Sequence, residues 1–140
     1  KFIIPSSNVK VFGKSIHCLA KIGDEVFLEP ETDSLTLRTV NISSNENIKC
    51  VKSKLTHCDR SAFATFTFGS TFFTCIERGE KDEDEDQDQD LCKVMVRSLL
   101  LPFRSLSCLE KTVENCSIEI NNTDCKLLIG LSAGEANAEF

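Results

Sequence analysis

Apolar positions along this chain recur with two different periods, and the switches between them predict an order of strands and helices. Residues 2–4 form a short β-prone run, and Ser7 or Asn8 can cap a helix beginning near Val9. Val9, Phe12, Ile16 and Leu19 share one stripe of that helix. It is expected to reach about Lys21, where Gly23 offers the left-handed conformation that commonly ends a helix. Residues 26–28 and 35–40 read as two strands of a hairpin around the polar stretch 30–34. Residues 61–68 then alternate, with Ala62, Ala64, Phe66 and Phe68 on one side, as a further strand would.

The pattern resumes with a strand at 91–96, followed by Leu99, Phe103 and Leu106 at helical spacing. Pro102 constrains this helix, because proline lacks a backbone donor and is tolerated only in a first turn. The helix is therefore expected to start at 99–101, to reach Leu109 or beyond, and to stop by Glu114. Residues 116–120 and 126–131 read as two strands joined by the turn-forming run Asn121-Asn122-Thr123-Asp124. The order is β-α-β-β-β followed by β-α-β-β, a duplicated unit in an α+β fold, although no repeat is visible in the letters themselves.

At 140 residues the chain is one ordinary domain, able to bury roughly two thirds of its unfolded surface. Its hydrophobic fraction of 41% and charged fraction of 27% argue against a disordered, collagenous or membrane chain. The opening residues are too short and polar for a signal peptide. The net charge of -6 changes meaning once the acids are located. Glu80, Asp82, Glu83, Asp84, Glu85, Asp86, Asp88 and Asp90 stand against Lys81 alone, and removing this run leaves a chain close to neutral. Such a block repels itself and reads as a solvated loop over 80–90. A carboxylate cage for nuclease chemistry needs acids converging from different elements, which neighbours on one loop do not provide.

Eight cysteines and three glycosylation-type sequences, at Asn41, Asn115 and Asn121, raise the alternative of a secreted, disulfide-bonded glycosylated domain. No paired spacing recurs among Cys18, Cys50, Cys58, Cys75, Cys92, Cys108, Cys116 and Cys125. Cys92 alternates with Val94 and Val96, and Cys116 with Ile118 and Ile120, so these thiols read as buried hydrophobes in a reducing compartment. His57, Cys58 and Cys50 make at most half a zinc site, and no metal or other cofactor is assigned.

The first helix also sorts its charge. Lys10, Lys14, His17 and Lys21 fall in a narrow sector roughly opposite the apolar stripe. In the second helical segment Arg97, Arg104 and Lys111 recur every seven residues, which drifts little around a helix axis. Cations on such faces neutralise phosphates without reading bases and give salt-sensitive, sequence-independent affinity for duplex DNA. A plain solvated helix face would look the same.

The runs NVKVFGKSIH at 8–17, LTLRTVN at 35–41, RSAF at 60–63 and FRSLSCLEKTVE at 103–114 closely resemble the Rad-nine family. That family supplies one subunit of the nine-one-one checkpoint clamp, a ring similar to the sliding clamp called proliferating cell nuclear antigen. The resemblance covers most of residues 2–131. It implies a DNA clamp lobe, with two inner helices on a curved antiparallel sheet. It further implies a non-enzymatic, nuclear subunit of a heterotrimer that a clamp loader places on damaged or stalled double-stranded DNA to support checkpoint signalling and repair. Lys10, Lys14 and Lys21 match basic positions of the family's inner helix and inherit its DNA-facing role.

Three stretches depart from the family pattern. Residues 45–59 look like an insert at a hairpin turn, where added length costs little. The acidic loop 80–90 falls in a variable connection, and the tail 132–140 does not resemble the family. The first lobe is thus expected over 1–131, lacking its closing strands and the second lobe. A 3′-5′ exonuclease role using the acidic residues is the enzymatic alternative, and no His or carboxylate pair is placed for acid-base work.

Overall fold

A computed structural model describes residues 1–41, 62–79, 91–121, 126–133 and 136–139, the last of these by its backbone. The expected loops at 45–59 and 80–90, most of the turn after Asn121, and Cys50, His57, Cys58 and Cys125 lie outside the described residues. Strand β1 (Phe2–Pro5) leads directly into α1 (Ser6–Ala20). Strands β2 (Glu25–Pro30), β3 (Leu35–Asn41) and β4 (Ala62–Phe68) follow, then a 3-10 turn at Ser70–Phe72 and the short β5 (Cys75–Ile76). Strand β6 (Cys92–Met95) opens the second half and leads into α2 (Val96–Leu100), a 3-10 turn at Leu101–Phe103 and α3 (Leu106–Thr112). Strands β7 (Asn115–Asn121), β8 (Lys126–Ala133) and β9 (Ala136–Glu139) complete the described chain.

The strands form two antiparallel sheets, a five-stranded one in the order β5-β1-β7-β8-β9 and a four-stranded one in the order β4-β3-β2-β6. Each strand that precedes a helix has crossed to the other half of the chain. β1 pairs with β7, ending at Pro5 opposite Asn115, and β6 pairs with β2, ending at Met95 opposite Glu25. The crossings are closed by matching hydrogen bonds. The Ser6 amide donates to the Glu114 carbonyl at 2.9 Å, and the Val96 amide donates to the Asp24 carbonyl, also at 2.9 Å.

Those two bonds explain where the helices begin. The first amide of α1 is satisfied by the facing half of the chain, so α1 starts at Ser6 with no side-chain cap, earlier than the expected Val9. Asn8, expected as a cap, instead donates its side-chain amide to the Phe72 carbonyl at 2.8 Å. The second helix likewise starts at Val96, and β6 stops one residue short of the predicted end. Pro102 then sits between two short helices rather than in the first turn of one long helix. It cannot donate to the preceding turn and its ring crowds the carbonyl four residues back, so the chain tightens into a 3-10 turn and restarts at Leu106.

Gly23 differs from expectation in its reason. Its φ lies outside the left-handed region, but a Cβ there would stand 2.2 Å from Thr39 Oγ1 and 3.1 Å from the Val40 carbonyl oxygen. Glycine at this place lets the end of α1 lie against β3. At the other end of the chain β8 continues to Ala133 and β9 follows, where the hydrophobic pattern indicated no element beyond Leu131.

One core joins the two sheets and the helices. Val9, Phe12, Ile16 and Leu19 of α1 are fully buried together with Ile4, Val26, Leu28, Leu35, Leu37, Phe103 and Cys116. Phe12 is at its centre, with ring centroids 5.2 Å from Phe68 of β4 and 5.6 Å from Phe103. Such aromatic contacts add about 0.5–1.5 kcal/mol each to the gain from burial.

Candidate nucleic-acid interface

The helices α1 and α3 run antiparallel, as three contacts along them show. Lys10 pairs with Glu110, Gly13 meets Leu106 and Phe103, and His17 reaches the Phe103 carbonyl oxygen at 2.7 Å. A carbonyl only accepts, so the His17 Nε2 carries the hydrogen in this bond. That oxygen lies where the helical ladder is interrupted, and the imidazole supplies a donor there. Gly13 allows the close approach, because a Cβ would come 2.3 Å from Leu106 Cδ2 and 3.3 Å from Phe103 Cδ1.

This helical layer is rich in cations. Over 6–21 and 96–112 it carries Lys10, Lys14, Lys21, Arg97, Arg104 and Lys111 against a single acid, Glu110, in a chain whose net charge is -6. Lys14, Lys21, Arg97, Arg104 and Lys111 are exposed and, among the described residues, make no ion pair. Lys10 is half-buried on the flank toward α3. The hydrogen bond from Lys10 and its charge hold the Glu110 carboxyl below the usual range, with smaller contributions from Lys14 and Lys111. The Glu110 carboxylate thus ties α3 to Lys10 of α1.

Of the seven cationic positions legible in the sequence, five present their heads to solvent and two, Lys10 and His17, tie the helices together. The sequence did not reveal Glu110 as the partner of Lys10, because the pair is 100 residues apart. Nor did it reveal the apolar residues that stand exposed within the layer, Val11 at 53% and Leu101 at 50%. Exposed Cys18 on α1 and Cys108 on α3 lie outside the core expected of the cysteines, whereas Cys92 and Cys116 are buried. Burial pushes the Cys116 thiol up to about 12. Among the described residues no group of three His, Cys, Asp or Glu could hold a metal ion, and no helix is long and apolar enough to cross a membrane.

A family model described as Rad9 matches residues 12–135, which takes in α1 from Phe12 onward, the four-stranded sheet, β5, β7 and β8 of the other sheet, and the whole second helical segment. The chain belongs to the Rad9 family. It is also similar to the cell cycle checkpoint control protein Rad9 of Drosophila melanogaster, 23% identical over 131 residues. That match covers 94% of this chain and 23% of the relative, so the chain spans about a quarter of the length of the curated Rad9 protein it matches. The mixed α+β architecture, with two antiparallel sheets and its helices packed on one another, is compatible with a clamp-like lobe.

Proposed function

We propose that this Rad9-family chain is the first lobe of a DNA-damage checkpoint clamp subunit, and that its helical layer lies along duplex DNA. One observation carries the reading. Six bases and one acid are concentrated on the helices, while the remainder of a net-acidic chain holds the opposite excess. Such a surface binds phosphates irrespective of base sequence, which suits a protein that encircles DNA and slides. Lys14, Lys21, Arg97, Arg104 and Lys111 are the residues assigned to the phosphates. Lys10 and His17 contribute by fixing the helix pair that carries them.

The reading extends to a duplicated β-α-β-β-β unit. The exchange of β1 and β6 between halves, and the matching bonds from Ser6 to Glu114 and from Val96 to Asp24, support it. In the intact assembly the partners are double-stranded DNA, the two other subunits of the nine-one-one ring and a clamp loader, in the nucleus and without catalysis by this subunit.

Fluorescence anisotropy with two unrelated duplexes tests the DNA contact. Equal affinities that fall steeply with salt are expected. Replacing Lys14 and Arg104 together by Gln should weaken binding to both duplexes alike and reduce the salt slope by about 2, since each phosphate contact contributes about 0.9. An affinity insensitive to salt, or unchanged in the double variant, overturns the assignment.

A further inference from the structure

We infer that Glu110 sets the strength of the DNA contact by holding Lys10 away from the phosphates, so that the helical layer keeps one cation in reserve. The inference rests on the DNA reading above and adds to it an acidic residue that tunes the contact. Glu110 is the single acid of 6–21 and 96–112, and its Oε2 accepts a hydrogen bond from Lys10 Nζ across the helix pair. Lys10 is half-buried on that flank, whereas Lys14, Lys21, Arg97, Arg104 and Lys111 are exposed. The six bases of the layer therefore divide into five with their heads in solvent and one that is neutralised.

Within α3 nothing favours an acid at this position. The residues three and four places back, Ser107 and Leu106, are not bases, and the residue four places on, Glu114, is a like charge. A carboxylate in the last turn also lies at the negative end of the helix dipole. Its favourable partner is Lys10, on the other helix. The pair adds little to stability, because the Glu110 side chain is half-exposed and water screens the attraction. The contacts of Gly13 with Leu106 and Phe103, and the bond from His17 to the Phe103 carbonyl oxygen, hold the helices together without it. What the pair changes is the charge on offer to DNA. A lysine already matched by a carboxylate displaces no counterion from the duplex, whereas each free cation that reaches a phosphate steepens the salt dependence by about 0.9. A layer with one neutralised lysine grips the duplex less tightly than its count of bases implies, which suits a protein that slides.

The test is the anisotropy of a labelled duplex titrated with the parent chain, with Glu110→Gln, and with the double variant Lys10→Gln/Glu110→Gln. Glu110→Gln should steepen the salt slope by about 0.9, so that its gain in affinity over the parent is roughly three- to fourfold larger at about 50 mM than at about 200 mM salt. Adding Lys10→Gln should return the slope to that of the parent. Both variants should keep the parent's circular dichroism at neutral pH. An unchanged slope in Glu110→Gln, or a loss of folded structure in it, overturns the inference. So does a double variant that keeps the steeper slope, because the released cation is then not Lys10. A double variant whose slope falls below the parent's overturns it too, because Lys10 was then already on a phosphate. A parent chain without salt-dependent binding removes the DNA reading and this inference together, whereas a parent that binds as expected beside an unresponsive Glu110→Gln removes this inference alone.

Discussion

α1 and the segment from α2 to α3 occupy corresponding places in the two halves of the chain, yet one is a single fifteen-residue helix and the other is broken. Each follows a strand that has crossed to the other half, and each has its first amide bonded to a carbonyl there. What separates them is Pro102. Lys14 lies on the single axis of α1, and Lys21 caps its end with right-handed helical backbone, so a spacing of seven keeps both near one side of one axis. In the second segment Arg97, Arg104 and Lys111 have the same spacing in sequence, but the 3-10 turn and the restart at Leu106 come between them. A heptad spacing of charge therefore specifies a face only when the backbone beneath it is unbroken.

The comparison breaks most readily at Phe12, where α1, β4 and the Leu101–Phe103 turn meet. Phe12→Ala should cost about 3–5 kcal/mol in chemical denaturation, whereas Leu101→Ala, at an exposed position in the broken segment, should change stability by less than about 0.5 kcal/mol. At Gly13 the question is whether the two helical segments stay in contact. Gly13→Val places methyl groups where Leu106 and Phe103 stand, and a loss of about 1–3 kcal/mol is expected, with a larger loss for Gly13→Leu.

Thiols report which side of each helix faces solvent. Cys18 of α1 and Cys108 of α3 should react promptly with an aromatic disulfide reagent in the native protein, and Cys116 only after unfolding. The raised Cys116 value also has a consequence for stability. Between the ordinary thiol range near 9 and about 12 the unfolded chain loses this proton and the folded chain keeps it. Stability should therefore fall as pH rises through that window, and Cys116→Ala should remove this component of the fall in melts from pH 8 to 11.

The smallest expected effect is at the Lys10–Glu110 pair, which is exposed to solvent screening. Because Glu110 is held below its usual value, its contribution is complete above about 4.5 and is lost as the pH drops through the depressed value. Glu110→Gln should leave acid denaturation slightly less steep, with little change at neutral pH.

Most strands and both helical regions were legible from the period of apolar residues, because a half-buried strand and an amphipathic helix each sort their side chains in a fixed rhythm. The beginnings of the helices were not. Serine and asparagine near the start of α1 suggested a local cap, but the amide of Ser6 is satisfied by Glu114, more than a hundred residues away in sequence. β5 and β9 escaped because two- and four-residue strands are too short to display a period. At the interface the cationic residues were visible individually. Their division into exposed heads and interhelical ties was not, because it depends on Glu110 and on the carbonyl of Phe103.

The sequence by itself determined the order of the elements, which residues enter the core, and that the bases gather on helices while the acids gather in one run. These follow from side-chain chemistry and from the geometry of single elements, which nearby residues dictate. Only the tertiary structure decided that β1 and β6 exchange halves and that α1 and α3 run antiparallel with Gly13 between them. Those features depend on which distant backbone groups find one another as hydrogen-bond partners. No local pattern encodes that choice, because it is made when two sheets and two helical segments bury their apolar faces together.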